Sequence, residues 1–191
     1  MLKKIPEWLS ISRKELDDFF SNFIWRGNIL DMGCGYKRVS ESIKKLGGKT
    51  ITLDIEKKYR PDVIADAKHL PFKDNSIDTI ISDGLLEHFD KSELGQIISE
   101  EIRVFNNKLI NIIPKDTWWN RVLEYFQGTP KVFWKSKVQW QFIFSVNLMN
   151  ELSNFLAGTT TLKRLHIFTI VPFKSIFPSN LMIYKKRRLS P

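Results

Sequence analysis

Three carboxylates and two glycines are the residues of this chain whose types and spacing could do chemistry. Asn28-Ile-Leu-Asp31-Met-Gly33-Cys-Gly35 reads as a buried strand running into a glycine turn. Thr50-Ile-Thr-Leu-Asp54 reads as a second buried strand ending in a carboxylate. Glycines in such a turn let a ligand touch the backbone, and a carboxylate about 20 residues further on is placed to hold two ribose hydroxyls. Asp66 follows at the next strand end. A single Asp after a strand is more often a turn or cap residue; three at successive strand ends favour a ligand. The spacing departs from a dinucleotide fingerprint, because Lys37 of Tyr36-Lys37-Arg38 holds the third glycine position.

The elements that must position these residues follow from pattern and punctuation. Ser12-Arg-Lys-Glu15 has capping-box spacing, and Leu16, Phe19, Phe20 and Phe23 follow at helical spacing, so a helix is expected over about 12–24. Strands are expected at 28–32, 49–54, 63–65 and 77–82, with a helix over about 36–46 stopped by Gly47-Gly48. Asp90-Lys-Ser-Glu93 is a second capping box, opening a helix to about residue 105. Asn106-Asn107 reads as a turn before a strand at 109–113 that Pro114 stops. Alternating strands and helices of this length imply a parallel sheet with right-handed crossovers. Beyond it, 116–145 is rich in Trp, Tyr and Phe, Ser145 can cap a helix ended by Gly158, and 162–171 and 180–186 read as two more strands.

The chain resembles a family. Asp31-Met-Gly33-Cys-Gly35 is similar to the first motif of class I S-adenosylmethionine-dependent methyltransferases. Asp66-Ala67-Lys-His-Leu70-Pro71-Phe72-Lys-Asp-Asn75-Ser76-Ile-Asp78 is similar to that family's stretch from strand three into strand four. Ser82-Asp83-Gly84-Leu85-Leu86-Glu87-His88-Phe89 is similar to the segment after strand four. The three motifs come in order and cover roughly residues 27–114, closest to the type 11-like branch. The resemblance implies one Rossmann-like α/β domain with a seven-stranded, mostly parallel sheet, an antiparallel final strand and helices on both faces. It divides the chain into an N-terminal helical cap (1–26), a cofactor-binding core (27–115) and an acceptor-side region (116–191).

It also implies an enzyme whose cofactor is S-adenosyl-L-methionine. Asp31 would then accept from the cofactor's ammonium, Asp54 from its ribose hydroxyls and Asp66 from its adenine amino group, with the Ala67 backbone meeting a ring nitrogen. Gly33, Cys34, Gly35, Ile55, Ser82, Asp83 and Leu85 complete the implied cofactor pocket, and Cys34 is there as a small residue rather than a thiol catalyst. Methyl transfer from a sulfonium is an in-line displacement in which orientation supplies much of the rate. His88 is the candidate base for an acceptor hydroxyl or amine, and the competing reading makes it a pocket-shaping residue. His69 and His166 read as structural. No metal site is expected.

Composition narrows the acceptor little. The 191 residues are about one domain, 42% hydrophobic and 27% charged, with no apolar run near the ~20 residues of a membrane span. One cysteine excludes an intrachain disulfide, and no signal peptide is read, so a cytoplasmic location is the default. The net charge of +9 is uneven. Residues 1–115 carry 19 Lys and Arg against 18 Asp and Glu; residues 116–191 carry 11 against 3. A small or medium-sized metabolite is the leading acceptor, walled by the aromatic segment. The alternatives are RNA, DNA or an acidic protein held by the basic C-terminal region, and a non-catalytic binding protein of the same fold. The segment after strand four lacks the Asn-Pro-Pro-Tyr type tetrapeptide of enzymes that methylate base amines.

Overall fold

The computed structural model describes residues 13–114, 160–167 and 179–186. The expected helix over 145–158, the aromatic segment 116–145 and the capping role of Ser12 lie outside these residues. Helix α1 (Arg13–Phe20) leads into β1 (Ile29–Met32), α2 (Arg38–Lys45), β2 (Thr50–Asp54) and β3 (Val63–Ile64). Then come β4 (Ile77–Asp83), α3 (Lys91–Val104), β5 (Phe105–Pro114), β6 (Thr160–Ile167) and β7 (Ser179–Lys186). Short 3-10 turns at Lys57–Tyr59 and Leu86–His88 follow β2 and β4.

The strands order as β3-β2-β1-β4-β5-β7-β6. The first five run parallel, and β7 runs antiparallel to both β5 and β6. The expected α/β architecture with a parallel sheet is present. All four residues of β1 are buried, as befits a central parallel strand covered on both faces. Side-chain alternation assigns the faces. Leu30, Met32, Leu53 and Ile80 pack with Leu94, Ile97 and Ile98 of α3. Ile29, Ile81, Ile110 and Ile112 pack with Val39 and Ile43 of α2 and with Leu16 and Phe20 of α1. The described part of the N-terminal helix is therefore packed on the sheet's α2 face. Trp25 closes that layer: its indole donates to the Phe20 carbonyl at 3.0 Å and its ring meets Phe20 edge-on.

Two ends form as the sequence predicts. Gly47 N–H donates to the Lys44 carbonyl and Gly48 N–H to the Ile43 carbonyl, a complete Schellman stop with Gly47 at φ 79°. Asp90 accepts from the Ser92 and Glu93 amides at 2.9 Å while Glu93 accepts from the Asp90 amide. One expectation fails. Asn106-Asn107 is no turn; α3 passes at Phe105 directly into β5. The register moves from Ile77 opposite Phe105 to Thr79 opposite Lys108, so three steps on β5 match two on β4. A turn-like Asn pair here marks a β-bulge, which accommodates one unpaired residue.

Under the sheet, a polar chain crosses the α3 face. Ser82 of β4 donates to Asn111 of β5 at 2.8 Å, and Asn111 donates to Glu101 of α3 at 3.4 Å. Glu101 is fully buried and its Oε1 has no hydrogen-bond partner. Burial pushes its carboxyl up from 4.5 to about 8, against a small opposing pull from Asn111. The folded protein thus keeps a proton that the unfolded chain releases above pH 4.5, and stability falls as pH rises until about 8. Glu101→Gln is expected to raise stability at pH 8 by on the order of 1–3 kcal/mol and to flatten that pH slope. Urea unfolding at pH 5 and pH 8 measures both; an unchanged slope would refute the assignment.

Candidate functional site

The carboxyl ends of β1, β2 and β4 meet at one edge, and the loop Gly33–Gly35 lies across it. Helix α2 starts there without a side-chain cap of its own, because its N-cap residue is Lys37. Asp31 supplies the cap from the neighbouring strand. Its Oδ2 accepts from the Ser40 amide at 3.1 Å and the Ser40 hydroxyl at 2.6 Å, and Thr50 donates to that hydroxyl in turn. Asp31 is only 2% exposed. Burial raises its pKa to about 6, the Ser40 bonds oppose the rise, and the nearby charges of Asp83 and Asp54 add to it. Its Oδ2 thus serves α2, a placement the sequence does not disclose.

The loop is closed on its backbone side. Gly33 and Cys34 both donate to the Leu53 carbonyl, at 2.8 and 3.0 Å, and Gly35 donates to Asp54 Oδ2 at 2.9 Å. It is open on the other side. A Cβ on Gly35 would have nothing within 4 Å, whereas one on Gly33 would sit 2.7 Å from Leu85 Cδ1. Leu85 therefore leans on the loop, and the space beside Gly35 is open. Cys34 is buried, and burial with the Asp31 and Asp54 charges pushes its thiol up to about 12, so it is no nucleophile at neutral pH.

Asp54 ends β2 with Oδ1 accepting from the Glu56 amide at 2.8 Å and Oδ2 from Gly35. A carboxylate has about four acceptor sites, so these bonds leave roughly two for a diol. Ile55 beside it is 62% exposed, an apolar side chain standing open at the same edge. Asp66 caps its own turn through the Lys68 amide at 2.9 Å, and Lys68 ties it to Glu93 of α3. Ala67 is buried in the α3-side core. Arg103 holds the adjoining Leu70-Pro71-Phe72 stretch through the Leu70 and Phe72 carbonyls.

After β4 the predicted residues separate. Ser82 is buried, with its hydroxyl turned to Asn111. Asp83 faces the other way and pairs with Arg38 at the start of α2. His88 hydrogen-bonds the Gly84 backbone; burial lowers its pKa below 6.5, so the imidazole is neutral at pH 7. Sequence reading missed Arg38, Ser40 and Thr50 as partners of these carboxylates. It also missed the pair Tyr36 and Tyr59, whose rings meet edge-on at 5.0 Å.

Lys37 answers the departure at the third glycine position. It adopts the left-handed conformation a glycine would, at φ 59°, and its ammonium bonds the carbonyl of Arg60, itself at φ 52°. The turn keeps its shape with a residue that pays strain for it.

Residues 30–108 match the family described as methyltransferase domain. No curated protein sequence matches the chain. Among solved structures, the chain is similar to PH0226 protein from Pyrococcus horikoshii OT3, with TM-score 0.68 and 20% identity over 97% of each chain. A SAM-dependent methyltransferase from Archaeoglobus fulgidus aligns with TM-score 0.68 and 16% identity, over 92% of this chain and 95% of that one. Magnesium protoporphyrin IX methyltransferase from Synechocystis PCC 6803, with bound SAH, aligns with TM-score 0.61 and 16% identity, over 92% and 82%. At such identities the likeness shows the fold. Among the described residues no group of side chains could hold a metal ion, and no helix is long and apolar enough to cross a membrane.

The loop after β1 yields a paired expectation. Lys37→Gly should stabilise the fold by about 1 kcal/mol through relief of left-handed strain, and Gly35→Ala, at φ 44°, should destabilise it by a similar amount. Chemical denaturation of the two variants checks the opposite signs.

Proposed function

We propose that this enzyme transfers a methyl group from S-adenosyl-L-methionine to a small or medium-sized metabolite. The observation that carries the reading is the open space beside Gly35, directly next to an Asp54 carboxylate with acceptor sites to spare. The donor set also fits a ligand bearing a ribose diol, an ammonium and a sulfonium, since Asp31, Asp54 and Asp83 lie close enough to feel one another. When bound, the cofactor supplies an already activated methyl group.

The chain's residues then bind and orient. Asp54 accepts from the ribose hydroxyls, Ile55 flanks the adenine, and Asp66 with the Ala67 backbone reads its edge. Gly33, Cys34 and Gly35 provide close approach. Asp31 and Asp83 set a negative field for the cationic end, over the floor formed by Ser82 and Leu85. His88, neutral and held at Gly84, is the proposed base toward an acceptor hydroxyl or amine. We read residues 1–26 as a covering element and 116–191 as the acceptor side, with β6 and β7 closing a seven-stranded methyltransferase sheet through its antiparallel final strand. A small acceptor agrees with the Synechocystis relative, a magnesium protoporphyrin IX methyltransferase.

Asp54→Ala should weaken binding of S-adenosylmethionine by about 10–100-fold through loss of two charge-assisted bonds. His88→Ala should leave that affinity nearly intact and lower kcat by about 10²–10⁴ once an acceptor is in hand. Titration calorimetry with the cofactor separates the two roles. An Asp54→Ala variant that stays folded and binds as wild type does would remove the ribose assignment.

A further inference from the structure

The basic run that opens with Lys185-Lys186 begins far from the site. Strand β7 runs antiparallel to β5, and the register sets Lys185 opposite Lys108, near the start of β5. In the parallel part of the sheet the strand starts form one rim, and the carboxyl ends that carry Asp31, Asp54 and Asp83 form the other. Lys108 and Lys185 therefore belong to the rim opposite the site, with Lys186 one step further out, opposite Thr160. Like charges at directly opposed positions of neighbouring strands oppose pairing, and an anion shared between them removes that cost.

The rest of this rim is basic and carries an apolar tip. The Lys108 ammonium lies over the Phe23 and Trp25 rings, 4.5 and 5.4 Å from their centroids, which ties the turn between α1 and β1 to β5. Between those two residues Ile24 stands out with 77% of its surface exposed, and Arg26 follows, exposed as well. Trp25 also lies close against Gly48, where an added Cβ would sit 2.9 Å from Trp25 Cβ. The turn after α2 thus joins the same rim with exposed Leu46 and Lys49. Asp74 and Asp78, acids at this end, are engaged: Asp78 accepts from the Asn28 amide and from Asn106, and Asp74 pairs with Arg103.

An anionic partner fits the charge, and the apolar tip decides its class. A nucleic acid would need open ring faces on which to stack. Trp25 is only 9% exposed, and Lys108 lies over both rings. An anionic lipid surface instead takes an aliphatic tip among its acyl chains while Lys and Arg meet its headgroups. We propose that this rim docks the protein on an anionic membrane surface, with Ile24 inserting and Arg26, Lys49, Lys185 and Lys186 meeting the headgroups. The edge that carries Asp54 then faces water. The inference goes beyond the cofactor reading and does not depend on it.

Co-sedimentation of the full chain with vesicles of equal parts phosphatidylcholine and phosphatidylserine is the test, against vesicles of phosphatidylcholine alone. Binding is expected to the anionic vesicles only and to fall as salt is raised. Ile24→Ser should weaken it by about tenfold through lost apolar insertion, and Lys185→Gln combined with Lys186→Gln by roughly 10–30-fold. Circular dichroism identifies any variant that does not fold; Arg26→Gln, in an exposed turn, then takes its place with a loss of about fivefold. No binding to the anionic vesicles, or binding that Ile24→Ser leaves unchanged, overturns the proposal. Tighter retention of single-stranded RNA than of anionic vesicles also overturns it and makes the rim a nucleic-acid surface. The cofactor reading stands in each case.

Discussion

The carboxylate of Asp31 is the joint on which the site depends. It leaves a central strand, enters the first turn of α2, and meets both the amide and the hydroxyl of Ser40. That turn has no cap of its own, because the residue at its N-cap is a lysine in a left-handed conformation. An external carboxylate supplies what a local Ser or Asp would have supplied, satisfying an orphan N–H and placing negative charge at the helix's positive end. With α2 seated, the glycine loop has a fixed exit, Arg38 faces the end of β4, and Gly35 faces Asp54. Burying that charge is costly, and the elevated pKa of Asp31 is the measure of it.

How the residues announce themselves depends on where their partners lie. The Schellman stop at Gly47-Gly48 and the capping box of Asp90 and Glu93 are interactions over three to five residues, so pattern reading finds them. The place of Asp54 at the end of β2 was legible for the same reason: a buried strand pattern followed by a carboxylate has few outcomes. The Asp31–Ser40–Thr50 chain was not, because each contact joins residues nine or ten apart through a helix not yet placed. Arg38 and Asp83 are 45 apart, and nothing local distinguishes that arginine from a solvated one. Asn106-Asn107 misled because asparagine suits turns and bulges alike, and only the register against β4 decides between them.

The carboxylates of the molecule divide by dielectric. Asp54 lies at the edge with its lone pairs shared between backbone amides and open space. Glu101 lies beneath the sheet with one weak donor and keeps its proton. The two differ in surroundings rather than in chemistry. The face of α3 thus carries a buried acid that holds its proton at neutral pH.

The sheet ends beyond β2 in β3, a strand of only two residues, with Ile64 exposed on it. Asp62 just before it folds back on Thr52 through a backbone and a hydroxyl bond, at 2.8 and 2.7 Å. A margin this short presents too few free backbone groups for another chain to add a strand there. The apolar side chains at this border, Ile55 and Ile64, are therefore shielded from sheet-to-sheet self-association by brevity, and the border stays clear on the side where Asp54 waits.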